Sequence, residues 1–150
     1  MTMSSQPLST SPKLIYAAVT IATIFLLFGL NAILRPSSAI TFFANFPPTT
    51  ASTNPALASE RTKLHTLLTA EGIRNIYISF TIYLITFSPL IPPTSRAQLL
   101  GYMMVGSAIV AFFDGLGCKV HAGQGEWDHW GYGGVVFGLG VVLLGVFDRV

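Results

Sequence analysis

Between Lys13 and Arg35 the chain runs LIYAAVTIATIFLLFGLNAIL, Leu14 to Leu34, without one charged residue. A helix of about 20 apolar residues is what a bilayer core of ~30 Å demands. Three further apolar stretches follow, and the charge needed to cover a water-soluble globule is missing. Only 9% of the 150 residues are charged, against about a quarter in an ordinary soluble domain. The same scarcity argues against disorder. It also argues against nucleic-acid binding, because eight scattered Lys and Arg, balanced by six Asp and Glu, cannot neutralise several phosphates at once. The expectation is an all-α, polytopic membrane four-helix bundle whose first partner is the lipid bilayer.

Residues 1–12, rich in Ser, Thr and Pro, read as a disordered tail. Residues 13–150 read as one domain with spans at about 14–34, 64–87, 97–116 and 129–147. The first span exceeds the apolar core of a signal peptide, and only a weak Ser37-Ser38-Ala39 cleavage site follows, so an uncleaved anchor is expected. Pro36, Pro47, Pro48 and Pro55 make the next stretch a loop, with Phe42, Phe43 and Phe46 as an interfacial patch or a cap over the bundle. Pro89, Pro92 and Pro93 close the second span, and Gly115 and Gly117 close the third. A polar loop holding Cys118, Lys119, His121, Glu126 and Asp128 leads to the fourth. Four spans place both termini on one side. Lys13, Arg96 and Arg149 on that side nearly balance Arg35, Arg61, Lys63 and Lys119 on the other, so orientation is not readable. With one cysteine and no Asn-x-Ser/Thr sequon, an intracellular membrane such as the endoplasmic reticulum is preferred.

Gly131, Gly134, Gly138 and Gly145 share one stripe of the last span, and Ala108, Ala111 and Gly115 share one of the third. Small residues let helix backbones approach closely, so the last two spans are expected to cross tightly, with homo-oligomerisation through the glycines as the alternative. Met103, Met104, Tyr77, Tyr83 and Phe112 read as core or lipid contacts.

The informative residues are the polar ones within apolar runs. An ionisable side chain in a span costs roughly 2.5–3.5 kcal/mol on insertion scales, so each needs a partner or a task. Glu71 and Arg74 are three residues apart on one helix face and can pair, with Asn75 beside them. Asp114 stands near the end of its helix, where the helix dipole disfavours a carboxylate and a cationic partner is expected. Antiparallel neighbours bring the early turns of the second span to the late turns of the third. Glu71, Arg74, Asp114 and His129 therefore converge at one depth. Such a cluster is either a structural ion-pair network that sets helix register, or an acid–base or anion pocket for a lipophilic small molecule. In the second reading Asp114 and His129 exchange protons, Arg74 holds an oxyanion, Glu71 orients Arg74, and Asn75, Tyr77 and Trp130 line the substrate site. His121, Glu126, Asp128 and His129 match no metal-ligand spacing, so neither metal nor cofactor is expected.

The segment Glu71-Gly72-Ile73-Arg74-Asn75-Ile76-Tyr77, the Asp114-Gly115 pair and the His129-Trp130 pair resemble an uncharacterised fungal family of small four-helix membrane proteins, similar in turn to DoxX-like bundles. The likeness runs from about Leu14 to Phe147. It implies association with secondary-metabolite pathways, and it transfers no catalytic residue. The expected function is therefore a membrane-embedded isomerase, cyclase or hydratase. The alternatives are a non-catalytic accessory or scaffold for membrane-associated pathway enzymes and, less favoured, a small transporter.

Overall fold

A computed structural model describes residues 7–44 and 55–148. A 3-10 turn at Leu8–Thr10 precedes five helices: α1 (Pro12–Leu34), α2 (Pro36–Ala44), α3 (Pro55–Phe87), α4 (Pro93–Ala122) and α5 (Glu126–Leu143). Among the described residues there is no strand. Two helices, α1 and α4, are long and apolar enough to cross a membrane. The four expected spans narrow to these two by that measure, for visible reasons. Glu71, Arg74 and Asn75 interrupt α3, while a polar first turn and many glycines dilute α5.

Several boundaries differ from the sequence expectation, and proline accounts for most of them. Pro12, Pro36, Pro55 and Pro93 each stand at the first position of a helix, where the missing N–H is not needed and the fixed φ is already helical. The stretch expected as a loop therefore contains α2 and the start of α3. Phe42 and Phe43 fall in α2, and Phe46 lies outside the described residues. Gly115 and Gly117 do not end α4. It continues to Gly123, whose φ of 70° gives a left-handed cap with its N–H bonded to the Lys119 carbonyl at 3.1 Å. The polar loop shrinks to the corner between Ala122 and Glu126. At the other end the expected tail is ordered from residue 7 onward. Ser9 is buried and its N–H donates to Asp148 Oδ1 at 3.0 Å, beyond a turn that begins at Gly145 (φ 76°). The Ser9 hydrogen bonds hold the Asp148 carboxyl below its ordinary pKa.

The bundle is assembled as two intimate helix pairs, α1 with α3 and α4 with α5. Ala18, Ala22 and Phe25 of α1, Ile78 and Ile82 of α3, Leu100, Met104 and Ala108 of α4, and Val136 and Leu143 of α5 form the shared core. Gly29 and Gly72 bring α1 and α3 into backbone contact, for a Cβ on either would come within 2.7 Å of the other's carbonyl oxygen. A hydrogen bond of 2.7 Å between Thr23 Oγ1 and the Tyr83 hydroxyl joins the same two helices. The expected close crossing of α4 and α5 is present, but through different glycines. A Cβ on Gly133 would lie 3.2 Å from Ala111 Cβ, and one on Gly140 would lie 3.0 Å from both Met104 Cβ and the Val105 nitrogen. Gly131, Gly134 and Gly138 face open space. Tyr102, Phe113 and Val135, each more than 60% exposed, show how apolar the outer surface is.

Candidate functional site

Glu71 and Arg74 sit one turn apart in the middle of α3, and Asp114 reaches them from α4. Arg74 Nη1 donates to Asp114 Oδ1 at 3.2 Å and Nη2 to Oδ2 at 2.7 Å, a two-pronged pairing that fixes the guanidinium plane. Nη2 also donates to Glu71 Oε1. All three side chains are partly buried. Two carboxylates thus share one guanidinium. When all three are ionised the group carries one negative charge in excess. Both terminal nitrogens of Arg74 are already committed, and its buried Nε is left without a partner.

His129, in the first turn of α5, is 3% exposed. Its Nδ1 lies 3.2 Å from the Tyr132 hydroxyl and its Nε2 lies 3.5 Å from Cys118 Sγ. Cys118 is one turn beyond Asp114 on α4, and Tyr132 stands within electrostatic reach of Asp114, Glu71 and Arg74. Tyr132 thus stands near both the imidazole and the ion cluster. Its ring meets Phe25 of α1 edge to face at 6.3 Å. Neither Tyr132 nor Cys118 stands out in the sequence as a site residue. The three-residue spacing of His129 and Tyr132 was the available signal, since it places both on one helical face.

The other expected site residues go elsewhere. Asn75 is buried beside the cluster, with its carbonyl accepting the Ser79 hydroxyl at 2.8 Å. Tyr77 is 67% exposed on the outside of α3. Trp130 donates its indole N–H to the Phe112 carbonyl at 3.1 Å and stacks on the Phe112 ring. It borders an apolar groove of about 550 Å³ between α4 and α5, walled by Ile109, Phe113, Gly134 and Phe137, that shares no residue with the ion cluster.

The polar loop residues are separated as well. His121 and Asp128 are exposed, and Glu126 accepts from Lys119 Nζ at 2.6 Å across the α4–α5 corner. That hydrogen bond holds the Glu126 carboxyl below its ordinary value of 4.5. A depressed folded-state pKa means that the pair's contribution is complete above the unfolded value and is lost as pH falls through the folded one. Acidification from pH 6 to below pH 4 is therefore expected to loosen this corner. Amide exchange around Gly123 should accelerate, and Lys119→Met should remove most of that acid-dependent increment. Equal acceleration in both chains would remove the pair as its cause.

A family model described as Domain of unknown function (DUF4267) matches residues 22–143. The chain belongs to the DUF4267 family. The matched region starts within α1, ends with α5, and contains the whole Glu71, Arg74, Asp114, His129 and Tyr132 arrangement. No curated protein and no solved structure matches the chain. The ion cluster lies within the matched region, whereas the 3-10 turn and the Ser9–Asp148 contact lie outside it.

Proposed function

We propose that this DUF4267 chain is a four-span protein of an intracellular membrane, such as the endoplasmic reticulum, that performs acid–base chemistry on a lipophilic intermediate. The observation that carries the reading is the pairing of two carboxylates with one arginine beside a buried His129–Tyr132 contact. A network built only to hide charge would be expected to balance it. Here one carboxylate is in excess, and an uncompensated carboxylate in an apolar surrounding is a proton acceptor.

In this reading Arg74 is a positioning residue and not an oxyanion holder, because Asp114 and Glu71 occupy its terminal nitrogens. The Asp114–Glu71 pair, one negative charge in excess of Arg74, takes a proton from carbon or oxygen of the substrate. His129 delivers a proton at a second position, and the proton held by the pair then passes to His129 through the Tyr132 hydroxyl, so that both regain their starting states. Such a cycle isomerises, cyclises or hydrates without a redox partner. The proposed setting, a secondary-metabolite pathway, is supported by the resemblance to fungal, DoxX-like bundles alone.

The test is made in the host. Removing the protein is expected to make one lipophilic intermediate accumulate, and the wild-type chain should clear it. A His129→Gln chain present at the same level should clear it about a hundredfold more slowly, as loss of a general acid–base group commonly does. Undiminished clearance by His129→Gln would take His129 out of the chemistry. The exposed groove at Phe113 and Phe137 favours one other reading, an accessory protein that docks pathway enzymes; His129→Gln would then be silent, and Phe113→Ser would release the partner.

A further inference from the structure

At the end of the bundle where Ser9 meets Asp148, helices α1, α3 and α4 enclose a cleft of about 300 Å³ bordered by Ile15, Tyr16, Thr86, Phe87, Pro93 and Arg96. Three independent features of its wall favour an anion. Arg96 closes the α3–α4 corner by donating Nη2 to the Ser88 and Ile91 carbonyls, each at 2.9 Å. Its buried Nε has no partner, and among the described residues no carboxylate pairs with its guanidinium. Among the described residues its charge is therefore uncompensated.

Thr86 is the second feature. Thr20, Thr23, Thr66, Thr69 and Thr81 all turn their hydroxyls back to the carbonyl four residues earlier, the usual habit of a helical threonine. Thr86 does not. It is only 7% exposed, and its hydroxyl meets no partner among the described residues. A buried hydroxyl left in this state is unfavourable unless something else accepts or donates there. The third feature is the start of α4. Its first turn contains no acidic residue and its N-cap, Pro92, makes no side-chain bond, so the positive end of a 30-residue helix is unneutralised at the cleft.

We propose that this cleft binds the phosphate group of a membrane phospholipid, with Arg96 and the first turn of α4 supplying positive charge and Thr86 a hydroxyl. Ile15 and Phe87 then border the glycerol and the start of an acyl chain, and the exposed Tyr16 ring lies at headgroup level. The lipid source rests on the membrane placement proposed above. The anion chemistry does not depend on the acid–base reaction.

The full chain, purified in a neutral detergent, is presented with dioleoyl phosphatidylglycerol, with dioleoylglycerol and with inorganic phosphate, and complexes are counted by native mass spectrometry. One molecule of the phospholipid is expected to bind, with no comparable complex for the phosphate-free lipid. Arg96→Gln should weaken binding at least tenfold, roughly the worth of a charge-assisted contact. Thr86→Val should weaken it about threefold while leaving the unfolding temperature unchanged or higher, because the hydroxyl has no protein bond to lose. Should Arg96→Gln fail to fold, Thr86→Val decides by itself. Displacement of the lipid by millimolar phosphate supports phosphate as the recognised group, whereas phosphate binding as tightly as the phospholipid overturns the lipid source. Equal affinity in wild type and Thr86→Val, or an equal loss in Arg35→Gln at the opposite end of α1, overturns the site. Because no turnover is measured, failure here is separate from failure of the acid–base reading.

Discussion

An Asp114→Asn chain is expected to accumulate in the membrane at the wild-type level and to turn over its substrate at least a hundredfold more slowly. The substitution is isosteric, and its amide oxygen can still accept from Arg74 Nη2, which now lies 2.7 Å from Oδ2. It also removes the excess negative charge, leaving Glu71 and Arg74 as a balanced pair within α3. Stability therefore changes little, while the proton acceptor disappears. Arg74→Met does the reverse. It keeps the apolar stem of the side chain but strands two carboxylates against each other, and breaking a buried pair from one side typically costs about 3–5 kcal/mol. That chain should be depleted from the membrane or melt well below wild type in detergent. Comparing the two separates a reactive cluster from a merely tolerated one. If Asp114→Asn is lost from the membrane just as Arg74→Met is, the cluster sets helix register and the catalytic proposal fails.

The second large effect is steric. Gly72→Ala is expected to lower stability by about 2–3 kcal/mol, the range for overpacking a filled interface. Its Cβ would stand 2.7 Å from the Gly29 carbonyl oxygen, 2.8 Å from Ile33 Cγ1 and 3.2 Å from Ala32 Cβ. Backbone cannot swing aside as a side-chain tip can, so α1 and α3 must separate. Gly134→Ala is the matched control. It meets no atom within 4 Å, and exchanging a helical glycine for alanine adds up to about 1 kcal/mol. Thermal unfolding in detergent should lower the midpoint for Gly72→Ala and leave it unchanged or raised for Gly134→Ala. A Gly134→Ala chain that is destabilised and also loses an oligomer would mean that a second copy covers the open glycine face.

The sequence alone settled the helical class, the apolar character of the surface and three members of the expected polar cluster, Glu71, Arg74 and Asp114, whereas His129 meets Tyr132 and Cys118. Each follows from local rules. Long charge-free runs leave the backbone no partner but itself in an apolar medium, so they become helices. A Glu and an Arg three residues apart share a helix face wherever the helix packs. Asp114 was expected at the disfavoured end of its helix and instead lies two turns inside α4, yet a carboxylate within an apolar run still needs a cation, and Arg74 is that cation. Proline was misread for an equally local reason. The same residue ends one helix and begins the next, and only the direction of the following chain tells which.

The tertiary structure decided what depends on azimuth and on charge counting in space. The last helix carries two small-residue stripes, Gly131/Gly134/Gly138 and Gly133/Gly140, and periodicity alone cannot choose between them. Ala111, Met104 and Val105 of α4 chose the second. Helix rotation likewise turned Tyr77 and Trp130 away from the cluster and brought Tyr132 and Cys118 to His129. Sequence spacing placed Arg74 near two carboxylates, but only the geometry showed both of its terminal nitrogens taken. That occupancy turns an expected oxyanion holder into a positioning residue and leaves a carboxylate in excess. Spacing along a helix determines which residues share a face; only the packing of neighbouring helices determines what that face meets.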